Sequence, residues 1–181
     1  MTSITKNMIS DAFLDLTKGK DIDKITVKDI VEKCSITRQT FYYHFQDIMD
    51  VIEWSMEQRM EEILSKSLKA TSMQEAVRIL VSSVEEHPEI IIKLMNSQKR
   101  EQTERLLINT IRSYMQEMID KKELFMDMKR SDLKMATKFY SYAIVGILLE
   151  INHKRKAVDL DLITTQIYQL MTGEMFHNED I

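Results

Sequence analysis

The stretch Thr26-Val-Lys-Asp-Ile-Val-Glu-Lys-Cys-Ser-Ile-Thr-Arg-Gln-Thr-Phe-Tyr-Tyr-His-Phe45 decides how this chain is read. It spells two short helices joined by a tight turn, each with its own start signal. Thr26 can cap the first, and Asp29 three residues on completes a capping box with Asp where Glu or Gln is usual. Ile25 before the cap and Ile30 at the fourth helical position fit a hydrophobic staple. Thr37 repeats the arrangement, with Ile36 placed to staple onto Phe41. Two stapled helices this close must cross sharply, which is a helix-turn-helix.

The second helix sorts its side chains by face. Phe41 and Phe45 lie four apart on one stripe and match the Val27, Ile30, Val31, Cys34 stripe of the first helix. The opposite face carries Arg38, Gln39, Tyr42 and Tyr43, with Thr40 and His44 at its edge. Such donors reach base edges and phosphate oxygens of double-stranded DNA. Arg38 and Gln39 suit guanine and adenine edges, whereas Thr26, Thr37, Tyr42, Tyr43 and His44 suit phosphates and register. The blander account of this face is a solvated surface.

Thr26 to Ile52 resembles the DNA-binding motif of the TetR family of bacterial transcriptional regulators. The likeness rests on Ile30-Val31, Ile36-Thr37, Thr40-Phe41-Tyr42 and His44-Phe45, followed by the start of a long helix, and it covers residues 4–64. The run Phe41 to Asp47 followed by Glu53-Trp54 resembles the branch of the family that regulates dihydroxyacetone kinase genes. Two positions depart from the pattern. The family's usual turn Gly is Ser35, which suits a turn that avoids positive φ or one that bears the strain. The usual Lys at the start of the next helix is Ile48, which removes one expected phosphate contact, and Lys28 is the nearby cation to set against it.

Composition agrees with an all-α chain. In 181 residues there are 3 Gly and 1 Pro, too few to punctuate many strands. The length allows one domain or two small ones with a real core. Fourteen Met suit irregular cores and adaptable pockets. One Cys excludes an internal disulfide and suits a reducing, cytoplasmic setting, and the N-terminus has no secretory pattern. Phe139 to Ile151 is the longest apolar stretch and is too short to span a bilayer, so no membrane role is expected. The net charge of -4 is neutral on the question of nucleic acid: residues 1–47 carry seven Lys or Arg and seven Asp or Glu.

Residues 4–17 read as a first amphipathic helix, with Ile9, Ala12, Phe13 and Leu16 on one face and Gly19 at its end. Residues 1–46 then form a three-helix helix-turn-helix head, and 47–181 a helical-bundle body for effector binding and dimerisation. Gln46-Asp47 starts a long helix through about Leu68, a lever between head and body. Ser72 with Glu75 opens a helix to about Glu86, which His87-Pro88 breaks, and Pro88 leads a short helix to Asn96. A long helix follows over 100–122. Ser131 to about His153 carries Met135, Phe139, Tyr142, Ala143, Gly146 and Leu149 on one side, with a middle that is apolar nearly all round. Asp159 or Asp161 caps a last helix that ends at Gly173.

The last two helices have more apolar surface than one subunit needs. In the family that the resemblance implies, this pair forms a four-helix bundle with its mate, so Phe139, Ala143, Gly146, Ile147, Ile163, Ile167 and Leu170 are expected at a homodimer interface. The resemblance also implies an effector cavity among the body helices, for which Trp54, Met56, Met95, Tyr114, Met115, Met118, Phe139 and Tyr142 are candidates; ordinary core packing is the alternative for each. A dimer would set two recognition helices in successive major grooves roughly 34–36 Å apart and ask for an inverted repeat. Cys34 reads as a small buried hydrophobe. His87, His153 and His177 lack ligand spacing, so no metal or other cofactor is expected, and His153 to Lys156 reads as cations closing a helix. No Ser/His/Asp grouping, glycine-rich phosphate loop or carboxylate–His motif supports an enzyme. The rival reading is a co-regulator or activator with the same fold that works through protein contacts.

Overall fold

The computed structural model describes residues 2–83, 88–154 and 159–176. Among these residues the chain is all helical, with nine α-helices and no strand. It divides into two compact units, Met1–Arg59 with Glu89–Leu106, and Met60–Pro88 with Leu107–Ile181. No helix of the described residues is long and apolar enough to cross a membrane, and none of their His, Cys, Asp and Glu side chains cluster to hold a metal.

The first unit holds α1 (Thr2–Gly19), α2 (Val27–Cys34), α3 (Arg38–His44), the first part of α4 (Ile48–Lys69), α6 (Pro88–Met95) from Glu89 onward and the start of α7 (Arg100–Lys121). It reaches beyond residues 1–46 because the core needs more helices than the head alone supplies. Ile9, Phe13, Ile30 and Phe41 are closed off from solvent by Val51 and Ile52 of α4 and Leu94 of α6. Two polar ties hold the later segment: the Lys93 ammonium donates to the Thr17 carbonyl, and the Gln98 N–H donates to the Asp23 carboxylate.

Each short helix starts where its cap predicts. The Thr26 hydroxyl accepts from the Asp29 N–H at 3.2 Å while the Asp29 carboxylate accepts from the Thr26 N–H at 2.7 Å, a complete capping box. Thr37 accepts from the Thr40 N–H at 3.1 Å. Asp47 does the same for α4, accepting from the Asp50 N–H at 3.1 Å, and Asp50 reaches back to the Gln46 N–H at 2.8 Å. Between α2 and α3 the chain turns through Ser35 at φ 54°, ψ 40°, the left-handed region. The Ile36 N–H donates to the Val31 carbonyl at 3.0 Å and the Ser35 N–H to the Glu32 carbonyl at 3.3 Å. That pair of bonds is a Schellman motif, with Val31 in the core cluster and half-buried Ile36 packed against it, so the turn bears the strain that Gly would avoid.

The second unit holds the rest of α4 and α7 together with α5 (Met73–Ser82), α8 (Arg130–Lys154) and α9 (Leu160–Thr172). Ser72 caps α5, and the Glu75 carboxylate accepts from the N–H and hydroxyl of Thr71 at 2.7 and 2.8 Å. The described helix stops at Ser82, short of Glu86; residues 84–87, with the expected break at His87, lie outside the described residues, as do Arg155, Lys156 and His177. Asp159, not Asp161, caps α9, accepting from the Leu162 N–H at 2.9 Å, and Gly173 ends it at φ 81°. Asp161 pairs with Arg78 of α5. Val77 and Val81 of α5 pack on Ile167 of α9, with Ile147 and Ile163 against them.

Packing divides the faces of α8, which the sequence left apolar nearly all round. Thr137, Ser141, Ile144 and Val145 are buried, while Met135, Phe139 and Tyr142 are exposed at 65%, 65% and 52% and Gly146 is also exposed. The middle of α8 tolerates buried hydroxyls because each returns its proton to the preceding turn, Thr137 to the Leu133 carbonyl and Ser141 to the Lys138 carbonyl.

Candidate nucleic-acid interface and cavity

On α3 the two faces separate cleanly. Phe41 and Phe45 are buried and touch at 6.0 Å between ring centroids, anchoring the helix to the core. Arg38, Gln39, Tyr42 and Tyr43 are exposed, and the last two expose 57% and 77% of their surface. Tyr42 stands edge-on to Phe41 at 5.4 Å, and Tyr43 edge-on to the half-buried His44 at 4.9 Å. Rings packed on their neighbours lose little entropy when their hydroxyls engage a partner.

The hydroxyls at the helix starts divide differently. Thr26 is exposed, yet its proton goes to the Asp29 carboxylate at 2.7 Å, so it works as a cap and has no proton left for a phosphate. Asp29 is itself tied to the Lys20 ammonium at 2.7 Å; this partner, then the Thr26 hydroxyl and N–H, holds its carboxyl well below the usual range. Thr37 and Thr40 lie 2.9 Å apart through their hydroxyls, so one of those two protons stays free. Lys28 is exposed and meets Glu32 at 3.7 Å, a solvent-facing pair easily exchanged for another anion. Ile48 is half-buried against the core, a packing residue where the family carries a cation. Cys34 is half-buried with its thiol 3.5 Å from the Met8 carbonyl, and burial pushes its pKa up, away from the reactive thiolate.

The second unit encloses a cavity of about 230 Å³. Tyr114, Met115 and Met118 of α7 line it, together with Leu80 of α5, Thr137, Tyr140 and Ile144 of α8, and Ile167 and Met171 of α9. Leu124, Phe125 and Met128 from the α7–α8 connection complete the wall, where Glu123 and Phe125 take left-handed φ values of 52° and 58°. The other proposed pocket residues lie elsewhere. Trp54, Met56 and Met95 belong to the first unit, Trp54 under the Lys6 ammonium at 4.3 Å, and Phe139 and Tyr142 face outward from α8. Sequence reasoning missed Tyr140 and Thr137. The spacing Leu133, Thr137, Tyr140, Ile144 marks that inner stripe at helical period, but its polar members hid it behind the more apolar stripe.

Residues 71–173, more than half of the chain, match the TetR-type family described as a transcriptional regulator C-terminal region. The chain belongs to the TetR family of transcriptional regulators. It is similar to the HTH-type dhaKLM operon transcriptional activator DhaS of Lactococcus lactis subsp. lactis (strain IL1403), at 30% identity over 84 residues, 46% of this chain and 45% of that protein. The match therefore spans less than half of that relative's length. Among solved structures, the dihydroxyacetone kinase operon activator DhaS superposes with a TM-score of 0.70 at 21% identity, covering 96% of this chain and 97% of that one. Lin0861 from Listeria innocua does so with a TM-score of 0.73 at 17% identity, covering 96% and 93%. These likenesses show the all-helical fold.

Of the positions expected at a TetR-type dimer face, Phe139, Gly146 and Leu170 are exposed and Ala143 is half-buried. Ile167 is 5% exposed and sits in the protomer's own core, while Ile147 and Ile163 pack beside it on Val77 and Val81 but stay half-buried. Apolar residues that recur every turn on a nearly all-apolar helix have two destinations, and only packing separates them.

Proposed function

We propose that this TetR-family regulator binds an inverted-repeat DNA operator as a two-fold dimer and represses from it until a small effector occupies the cavity of the second unit. The outward face of α3 carries the reading: Arg38, Gln39, Tyr42 and Tyr43 stand exposed on a helix whose opposite face is anchored by buried Phe41 and Phe45. Arg38 and Gln39 supply base-edge pairing, while Thr37, Thr40, Tyr42, Tyr43, His44 and Lys28 supply backbone contacts. The exposed stripe Met135, Phe139, Tyr142 and Gly146 of α8, with Leu162 and Leu170 of α9, supports the dimer. Release requires that the effector bind the DNA-incompetent arrangement more tightly, since equal affinity shifts nothing.

One observation favours activation instead, or a co-regulator that works through protein contacts: the similar protein DhaS is named an activator. Selection of bound duplexes from a random pool by the purified protein at moderate salt tests operator binding. An enriched inverted repeat is expected; no enrichment from folded, dimeric protein refutes operator binding and supports the co-regulator. Placing the selected repeat before a reporter gene then sets the sign, with lower output expected for a repressor and higher output for an activator.

A further inference from the structure

The cavity wall defines the chemistry of what can fill it. None of the residues lining it is charged, and five are methionines, whose flexible thioethers adapt to an irregular apolar shape. Its polar side chains are Tyr114, Thr137 and Tyr140. Each has committed its proton inside the protein: the Tyr114 hydroxyl donates to Ser67 Oγ at 2.9 Å, Thr137 to the Leu133 carbonyl at 2.8 Å, and Tyr140 to the Leu170 carbonyl at 2.9 Å. Burial, partly offset by the Ser67 bond, pushes the Tyr114 phenol up, so it stays neutral at physiological pH.

We infer that the effector of this regulator is a neutral, predominantly apolar molecule, not a carboxylate, a phosphate ester or a small polyol such as dihydroxyacetone. The inference deepens the ligand-responsive reading above and rests on it. A carboxylate or phosphate entering this cavity would lose its hydration and meet neither a cation nor a free donor. A three-carbon polyol would leave its hydroxyl protons facing methyl and thioether groups, with only the spare lone pairs of three committed hydroxyls in reach. The volume of about 230 Å³ exceeds the roughly 150 Å³ at which an apolar cavity takes up benzene, so a fused bicyclic ring or a compact chain of similar bulk fits. Phe125 and Met128, 39% and 41% exposed, form the part of the wall that meets solvent and mark the way in.

Thermal unfolding of the full chain with probes matched in shape decides this. Naphthalene is expected to raise Tm by several degrees at about a hundredfold above its Kd. At the same pH 1-naphthoate is expected to bind at least about tenfold more weakly, and dihydroxyacetone and glycerol 3-phosphate to leave Tm unmoved. Ala136→Phe, which fills the cavity from α8, is expected to abolish the naphthalene shift, with Ala136→Leu as the milder filler if the larger one does not fold. Thr137→Val is expected to keep the shift. Tighter binding of the anion, a shift with dihydroxyacetone, no shift with naphthalene, or a naphthalene shift that survives in a folded filled variant each overturns the inference. The readout needs no DNA. An enriched operator without naphthalene binding sinks the effector class alone, whereas naphthalene binding without an operator sinks the regulator reading alone.

Discussion

Ser35 gives the sharpest test of how the helix-turn-helix is held. It sits at φ 54°, ψ 40° in the position of a Schellman turn that Gly usually fills. Holding an L-residue in the left-handed region costs about 1–2 kcal/mol, and Ser35→Gly removes that cost. Gly also loses more chain entropy on folding, which takes back roughly 0.4–1 kcal/mol. The turn's hydrogen bonds, from Ile36 to Val31 and from Ser35 to Glu32, are backbone bonds and survive the change. The net gain is about 0.5–1 kcal/mol, or a Tm rise of about 1–4 °C for a chain of this size. Ser35→Ala is expected to stay close to the wild type, and Ser35→Val to lose about 1 kcal/mol or more, because a β-branched residue tolerates positive φ worst. Urea and thermal unfolding followed by circular dichroism compare the four proteins. If Ala or Val matched Gly, the turn would not be carrying left-handed strain and the account of α2–α3 geometry would fail.

On the operator recovered by selection, Tyr42→Ala is expected to weaken binding to all sequences alike, while Arg38→Ala mainly relaxes the preference at one base position per half-site by about 1–3 kcal/mol. Identical losses on matched and scrambled duplexes would refute that division of roles. Phe139→Asp, at a side chain 65% exposed in the protomer, is expected to give monomers with an unchanged fold and lost operator affinity; unaltered sedimentation would exclude the α8 interface. Ile147→Asp is a poorer probe, since Ile147 also packs on the Val77, Val81, Ile167 cluster. Asp29 is held as the carboxylate by Lys20 and Thr26, so its contribution to stability is whole above about pH 4 and is lost as pH falls below that. Asp29→Asn is thus expected to unfold at lower urea than the wild type at pH 7, with the gap narrowing toward pH 2.5; a gap independent of pH would show that Asp29 acts only through its shape.

Local chemistry made the head legible from its residues. Thr26 with Asp29, and Thr37 with Thr40, satisfy backbone N–H groups within one turn of their own position, so the helix starts follow from neighbours in sequence. The same holds for the inward pair Phe41 and Phe45, four apart on a helix with a strongly polar opposite face. The strain at Ser35 was half legible: the missing Gly pointed to the position, and the backbone showed which way it was resolved. The body was different. On α8 both faces of the middle are apolar, and periodicity cannot say which one meets α7 and which one solvent or a mate. Tertiary packing chose the stripe with Thr137, Tyr140 and Ile144: Ile144 packs in the core, and the Thr137 and Tyr140 hydroxyls find acceptors in their own helix and in α9. Likewise nothing in the spacing of Trp54 and Met95 placed them with the head's unit, where α4 and α6 close its core. Caps and amphipathic faces are decided by contacts a few residues apart, and the chain alone determined them. The cavity, its lining and the division of α8 depend on which distant helices meet, and only the folded structure decided those.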